Sequence, residues 1–201
     1  FLMPVLLFFL SSAAFTKLKH VVTGTGSRSI ARNAWQVIAN IIWAFTGSVF
    51  YLLTGDEIFI LSFIAFVAAV TADTWASEIG PLLNRRCFSL STMESVPAGT
   101  NGGISFFGSM AALAGATIIS SLSYHVFFGS WRWDIIALLS AATFLACFAD
   151  SLLGTFVEDK LLRMDYFKKG KTSESITPND LVNMAGSLTA FVFYLLLSWI
   201  F

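Results

Sequence analysis

The sequence predicts an all-α, polytopic integral membrane helix bundle, six spanning helices in a single transmembrane domain over residues 1–201. Three observations predict it. The chain is 56% hydrophobic and only 12% charged, whereas an ordinary soluble domain carries about 25% charged residues. Six apolar runs approach the ~20 residues that a helix needs to cross a bilayer. Finally, lysine and arginine fall almost wholly into alternate connections, the pattern of a membrane protein with one orientation.

The first span is Phe1–Phe15. It opens on FLMPVLLFFL with no basic stretch ahead of it, so it reads as a membrane helix rather than a signal peptide, one whose beginning lies upstream. Ala34–Leu53 is a full span and stops at the turn Thr54-Gly55-Asp56-Glu57. Ile58–Ala72 is short unless it continues through the TADTWASEIG motif that follows. Gly102–Leu122, Ile135–Leu153 and Leu181–Phe201 complete the set. Connections 16–33, 78–101 and 154–180 are then long and polar and share one face. They hold Lys17, Lys19, Arg28, Arg32, Arg85, Arg86, Lys160, Arg163, Lys168, Lys169 and Lys171, and only Arg132 falls opposite. The long connections are therefore expected on the cytoplasmic side and both chain ends on the other.

A formal net charge of zero gives no reason to expect a nucleic-acid partner. Cys87 and Cys147 stand far apart without a CxxC pair, so neither a disulfide framework nor a zinc site is expected. Small residues at Ala68, Ala69, Ala72 and Ala76, and at Ala111, Ala112 and Gly115, suit close helix crossings.

Two copies of one motif carry the functional signal. Thr71–Gly80 reads TADTWASEIG, and 148–159 reads FADSLLGTFVED; each ends an apolar run with Ala-Asp-hydroxyl. An acid at a bilayer edge is costly and is a functional candidate by default. Asp73 and Glu78, Asp150, Asp180 with Asn183, and Asn33 with Gln36 and Asn40 all map to the long-connection ends of their helices, so four helix ends are expected to converge on one rim. Carboxylate, amide and hydroxyl oxygens are the hard ligands that Mg²⁺ takes. A lone acid would be explained by pairing with Arg28, Arg32, Arg85 or Arg86; the repeat favours a shared site. Val96–Gly108, VPAGTNGGISFFG, adds a glycine-rich turn opening the fourth span. Gly99, Thr100, Asn101, Gly102 and Gly103 are expected to offer free N–H groups at a helix N-terminus, which suits phosphate. Arg28 and Arg32, one turn apart, suit phosphate through their planar guanidinium forks.

KLKH in the first long connection, RNAWQVIAN, ADTWASEIG, VPAGTNGGISFFG, ADSLLGTFVED and NDLVNMAGS occur in the order found in the family once labelled DUF92, which the chain resembles over nearly its whole length. That family includes transmembrane protein 19 of animals and the phytyl-phosphate kinase of plants and cyanobacteria. More distantly the chain looks like the CTP-using lipid kinases and cytidylyltransferases of membranes. The resemblance implies Mg²⁺-dependent phosphoryl transfer from a nucleoside triphosphate, CTP favoured, to an isoprenoid monophosphate. It implies a metal among Asp73, Glu78, Asp150 and Asp180, and nucleotide or phosphate on Asn33, Gln36, Asn40, Asn183 and Gly99–Gly103. Asp73, Asp150 and Arg32 would be the catalytic set. Expected partners are the isoprenoid phosphate, the nucleotide, membrane lipids and a second copy of the chain. The expected location is a bacterial plasma membrane with the site facing the cytoplasm, or else a chloroplast or endomembrane. Two other readings stay open: a cytidylyltransferase that forms a CDP-lipid, and a transporter that uses Asp73 and Asp150 in transit.

Overall fold

The computed structural model describes residues 1–23, 34–84, 86–90, 92–100, 102–155 and 176–200. Six long helices dominate: α1 Leu2–Thr23, α2 Ala34–Thr54, α3 Glu57–Leu83, α4 Phe106–Phe128, α5 Trp133–Leu153 and α6 Pro178–Ile200. All six are long and apolar enough to cross a membrane, as the hydropathy requires. Between α3 and α4 lies a small antiparallel sheet of β1 Arg86–Ser89, β2 Ser95–Pro97 and β3 Gly103–Ile104, in the order β2-β1-β3. This sheet is an addition to the expected all-α fold and lies in the long polar connection.

α3 is the hub and packs against each of the other five helices. Its stretch Ser62–Ala72 is buried throughout, which explains why this span is apolar all round rather than on one face. Its 27 residues span about 40 Å, against a hydrocarbon core of about 30 Å. The helix thus runs past Ala72, where the apolar run ends, and carries Asp73, Ser77, Glu78 and Gly80 as helical residues.

α3 meets α4 at close range because both present small side chains there. A methyl group added at Gly115 would lie 3.3 Å from Ala72 Cα, and one at Gly108 would lie 3.3 Å from the Ala76 carbonyl oxygen and 3.6 Å from Gly80 Cα. This is the small-residue seam that membrane helices use when apolar burial gives no advantage over lipid.

The helix ends follow from local chemistry. Gly55 N–H donates to the Tyr51 carbonyl at 2.8 Å, and Asp56 then caps α3 by accepting from Ile58 N–H at 3.0 Å. At the α4–α5 connection His125, Trp131 and Trp133 stack at centroid distances of 4.4 and 5.4 Å, as aromatic rings do at a membrane–water interface. Arg132, the basic residue on this side, donates to the Asp134 carboxylate.

Candidate functional site

α3 and α5 run in the same direction, and their acids sit at matching depth. Asp73 follows Glu57 by sixteen residues and Asp150 follows Trp133 by seventeen. At 1.5 Å per residue they lie about 24 and 26 Å from the short-connection end, just inside the far edge of a ~30 Å core. Both line one cavity of about 520 Å³ and also a smaller recess beneath it. Gln36 and Asn40 of α2, and Asn179 and Asn183 of α6, line the same cavity, as do Gly99, Thr100, Gly102 and Gly103 from the sheet connection. Helix ends distant in sequence therefore meet the glycine turn in one place.

Glu78 also lines the cavity, but its carboxylate is already engaged. Thr16 Oγ1 donates to Glu78 Oε1 at 3.0 Å, and Lys19 Nζ lies 3.2 Å from Oε2. Lys19 Nζ donates in addition to the Ser77 carbonyl at 3.1 Å. That carbonyl is the one whose helical partner would be the N–H of Pro81, which proline lacks. The proline thus leaves an acceptor that Lys19 fills, and the cation is fixed at the cavity wall. Lys19 was legible as one of eleven basic residues and within the KLKH motif; Pro81, four residues beyond Ser77, was the signal for its role here.

Asp180 is fully buried and is absent from the cavity lining. Its Oδ2 accepts from Thr177 N–H at 2.7 Å and from Thr177 Oγ1 at 2.8 Å, while Asp180 N–H donates to Thr177 Oγ1 at 3.2 Å. Thr177-Pro178-Asn179-Asp180 is therefore a reciprocal capping box with proline at the first helical position. The expected ring of four acids is corrected accordingly. Among the described residues no group of three or more His, Cys, Asp or Glu side chains is placed to hold a metal; Asp180 caps α6 and Glu78 pairs with Lys19. Asp180→Ala is expected to lower stability by about 1–2 kcal/mol, the usual cost of a lost cap. Thermal unfolding checks this: Tm falls relative to the wild type.

Of the turn residues expected to offer free amides, Thr100 and Gly103 use theirs within the chain. Gly99 (φ +86°) and Gly102 (φ +70°) occupy the left-handed region that turns of this kind require. Thr100 N–H donates to the Pro97 carbonyl and Gly103 N–H to the Thr100 carbonyl. At the start of α4, Gly108 N–H donates to Ser105 Oγ at 3.1 Å and Phe107 N–H to Asn84 Oδ1 at 3.4 Å. These four amides are satisfied within the chain, so they do not wait for phosphate. What the glycines do is permit approach. A methyl at Gly102 would collide with Thr155 and with the Ser151 carbonyl, and one at Gly103 with Cys87 Sγ. The turn lies flat against the end of α5 that carries Asp150, and the sheet holds it there.

Gly186 was missed from the sequence. A methyl on it would collide with Asp150 Oδ1 and lie 2.8 Å from Asp150 Cβ and Cγ, so α6 makes room for that carboxylate. The available signal was its position three residues after Asn183, on the same helical face. Cys87 and Cys147, for which neither a disulfide nor a zinc site is expected, both line the cavity. Arg32, Asn33 and Asn101, with Arg28, lie outside the described residues.

The family described as "Integral membrane protein DUF92" matches residues 1–191. The chain is 36% identical over 101 residues to an uncharacterised membrane protein of Methanocaldococcus jannaschii, covering 50% of this chain and 41% of that one. It is 32% identical over 104 residues to Protein PGR of Arabidopsis thaliana (47% and 36% covered). It is 28% identical over 105 residues to Protein VTE6, chloroplastic, of the same plant (52% and 31% covered). The matched stretch spans less than half the length of each of these relatives. No solved structure matches the chain.

Proposed function

The chain belongs to the DUF92 family of integral membrane proteins, and from that premise we propose that it is a membrane isoprenoid-phosphate kinase. It transfers a phosphoryl group from a nucleoside triphosphate, CTP favoured, to a prenyl or phytyl monophosphate. The observation that carries this reading is the meeting of Asp73 and Asp150, from two helices of equal direction, in one cavity with Gly99, Thr100, Gly102 and Gly103. The partial similarity to VTE6, together with the family resemblance of the sequence motifs, supports it.

Magnesium in such sites takes one or two protein carboxylates and completes its shell with substrate phosphates. Asp73 and Asp150, with the amide oxygens of Asn40 and Asn183 on the same cavity, are a donor set of that kind, so the residues present fit the ion. Asp73 and Asp150 would hold it, and when bound it neutralises charge on the phosphates. An oxygen of the acceptor phosphate attacks the γ-phosphorus, the bond to the β,γ-bridging oxygen breaks, and the nucleoside diphosphate leaves. The attacking phosphate is already ionised, so the chain supplies no general base.

Its residues position and neutralise, which is most of what phosphoryl transfer asks of a protein. Gln36, Asn40 and Asn183 orient phosphate and nucleotide by hydrogen bonds, and the glycine turn closes the wall beside Asp150. Arg32 offsets the negative charge, while Lys19 holds Glu78 at the cavity wall. The site faces the cytoplasm, where the nucleotide is.

The test is a product assay. Purified protein is offered the four nucleoside triphosphates with phytyl or geranylgeranyl monophosphate, with phytol and with phosphatidate. The reading expects CDP and a prenyl diphosphate. Release of inorganic diphosphate with a CDP-lipid would make it a cytidylyltransferase. Flux across proteoliposomes without nucleotide consumption would make it a transporter, and either result overturns the kinase.

A further inference from the structure

The cavity that holds the acids has a second, unlike wall. Ala76 and Gly80 of α3, Gly108 and Ala112 of α4, and Phe144 and Phe148 of α5 line it. These residues are contiguous. Gly108 backs onto Ala76 and Gly80, and Phe144 packs with Ala76 against the buried cluster of Ala72, Ala112 and Ala116. The rings of Phe144 and Phe148 meet edge to face at 5.1 Å, and neither residue is fully buried. Along α5, Phe148 and Phe144 stand two and six residues before Asp150. At 1.5 Å per residue the wall therefore descends about 3 to 9 Å from the carboxylate toward the bilayer centre.

A nucleobase can stack on one aromatic ring, but its polar edges and ribose suit poorly a wall of Ala, Gly and Phe that descends toward the bilayer centre. An amphiphile with an ionised head and a hydrocarbon chain uses both walls at once. The volume of about 520 Å³ lies within the range for one small ligand, roughly 300–1,000 Å³. It can enclose a headgroup and the proximal part of one chain, the remainder lying in the bilayer. We propose that Phe144 and Phe148 form a chain-selecting wall that binds the first segment of a single hydrocarbon chain joined to the acceptor phosphate, and so determine which lipid the site takes. This rests on reading the site as one for a phosphorylated lipid. The step is binding only, and the two rings touch the chain rather than the reacting atoms.

The test measures binding without turnover. Protein in lipid nanodiscs is titrated with geranylgeranyl monophosphate, inorganic phosphate and a two-chain phosphatidate, for wild type, Phe148→Ala and Phe148→Leu. Partitioning of each probe into the bilayer is common to all three proteins, so the comparison isolates the wall. Phe148→Ala is expected to lower the ratio of geranylgeranyl-monophosphate to inorganic-phosphate affinity by about tenfold, the effect of losing contact with roughly two buried methylenes. Affinity for inorganic phosphate stays unchanged. Phe148→Leu retains most of the apolar volume, covers the case in which the alanine variant does not fold, and lowers the ratio in the same direction. A ratio unmoved in a folded variant, or phosphatidate bound as tightly as the single-chain phosphate by wild type, overturns the proposal. If no phosphoryl transfer occurs while the ratio still depends on Phe148, the kinase reading fails and the wall stands. If transfer occurs and the ratio is indifferent to Phe148, the kinase stands and the wall fails.

Discussion

Asp73→Asn and Asp150→Asn each lower phosphoryl transfer by about 10³-fold, and the double variant is no worse than either single one. The magnitude is that of removing one preorganised electrostatic contact from a water-poor site. Non-additivity follows because groups that act as a unit fail together. Asparagine keeps the shape of the side chain, so packing is conserved. Tm is expected to stay equal or to rise, because an acid held inside a membrane edge for function is costly to keep there. Steady-state rates and thermal unfolding on the same preparations check both halves. A loss of activity accompanied by an equal loss of stability would assign the acids a structural role instead.

Gly186→Ala has the second largest expected effect, from a residue with no side chain to offer. The new methyl occupies the place of Asp150 Oδ1, so the carboxylate must rotate out of the cavity. Misplacement of a catalytic group by about 1 Å can cost about 10²-fold in rate, and that loss is expected here. Overpacking of this kind also costs about 1–3 kcal/mol of stability. In an Asp150→Ala background the stability cost is smaller, because the oxygen is gone, but not zero, because Cβ still lies 2.8 Å away. A double-mutant cycle by denaturation measures the coupling. A Gly186→Ala protein that keeps full activity would show that Asp150 is not held where the structure places it.

Much of the scaffold was legible because it rests on composition and length. Spanning helices must satisfy their own backbone, so apolar runs of the right length declare themselves. The small residues at Ala72, Ala76, Ala112 and Gly115 likewise marked the α3–α4 seam before any coordinates. The sheet was not legible: its strands run four, three and two residues, too short for a period of two to show. The overrun of α3 was only half visible, since nothing in TADTWASEIG interrupts a helix before Gly80-Pro81 and the drop in hydropathy suggested an end.

The site divides the same way. Repetition of Ala-Asp-hydroxyl pointed to Asp73 and Asp150 together, and both line the cavity. Asp180, which the resemblance places at a metal, sits in a capping box that Thr177-Pro178-Asn179-Asp180 already spells. The engagement of Glu78 by Lys19 joins residues 59 apart in sequence, and no local pattern encodes it. Gly186 was invisible for a similar reason: a glycine that makes room is explained only by the neighbour it accommodates.

The central claim is that Asp73 and Asp150 serve one ion and one nucleotide between them. Electron paramagnetic resonance of Mn²⁺, used in place of Mg²⁺, tests it on purified protein with CTP present. The account predicts one tightly bound Mn²⁺ per chain in the wild type, lost in Asp73→Asn and equally in Asp150→Asn, and retained in Asp180→Asn. Retention of that ion by both Asp73→Asn and Asp150→Asn would contradict it.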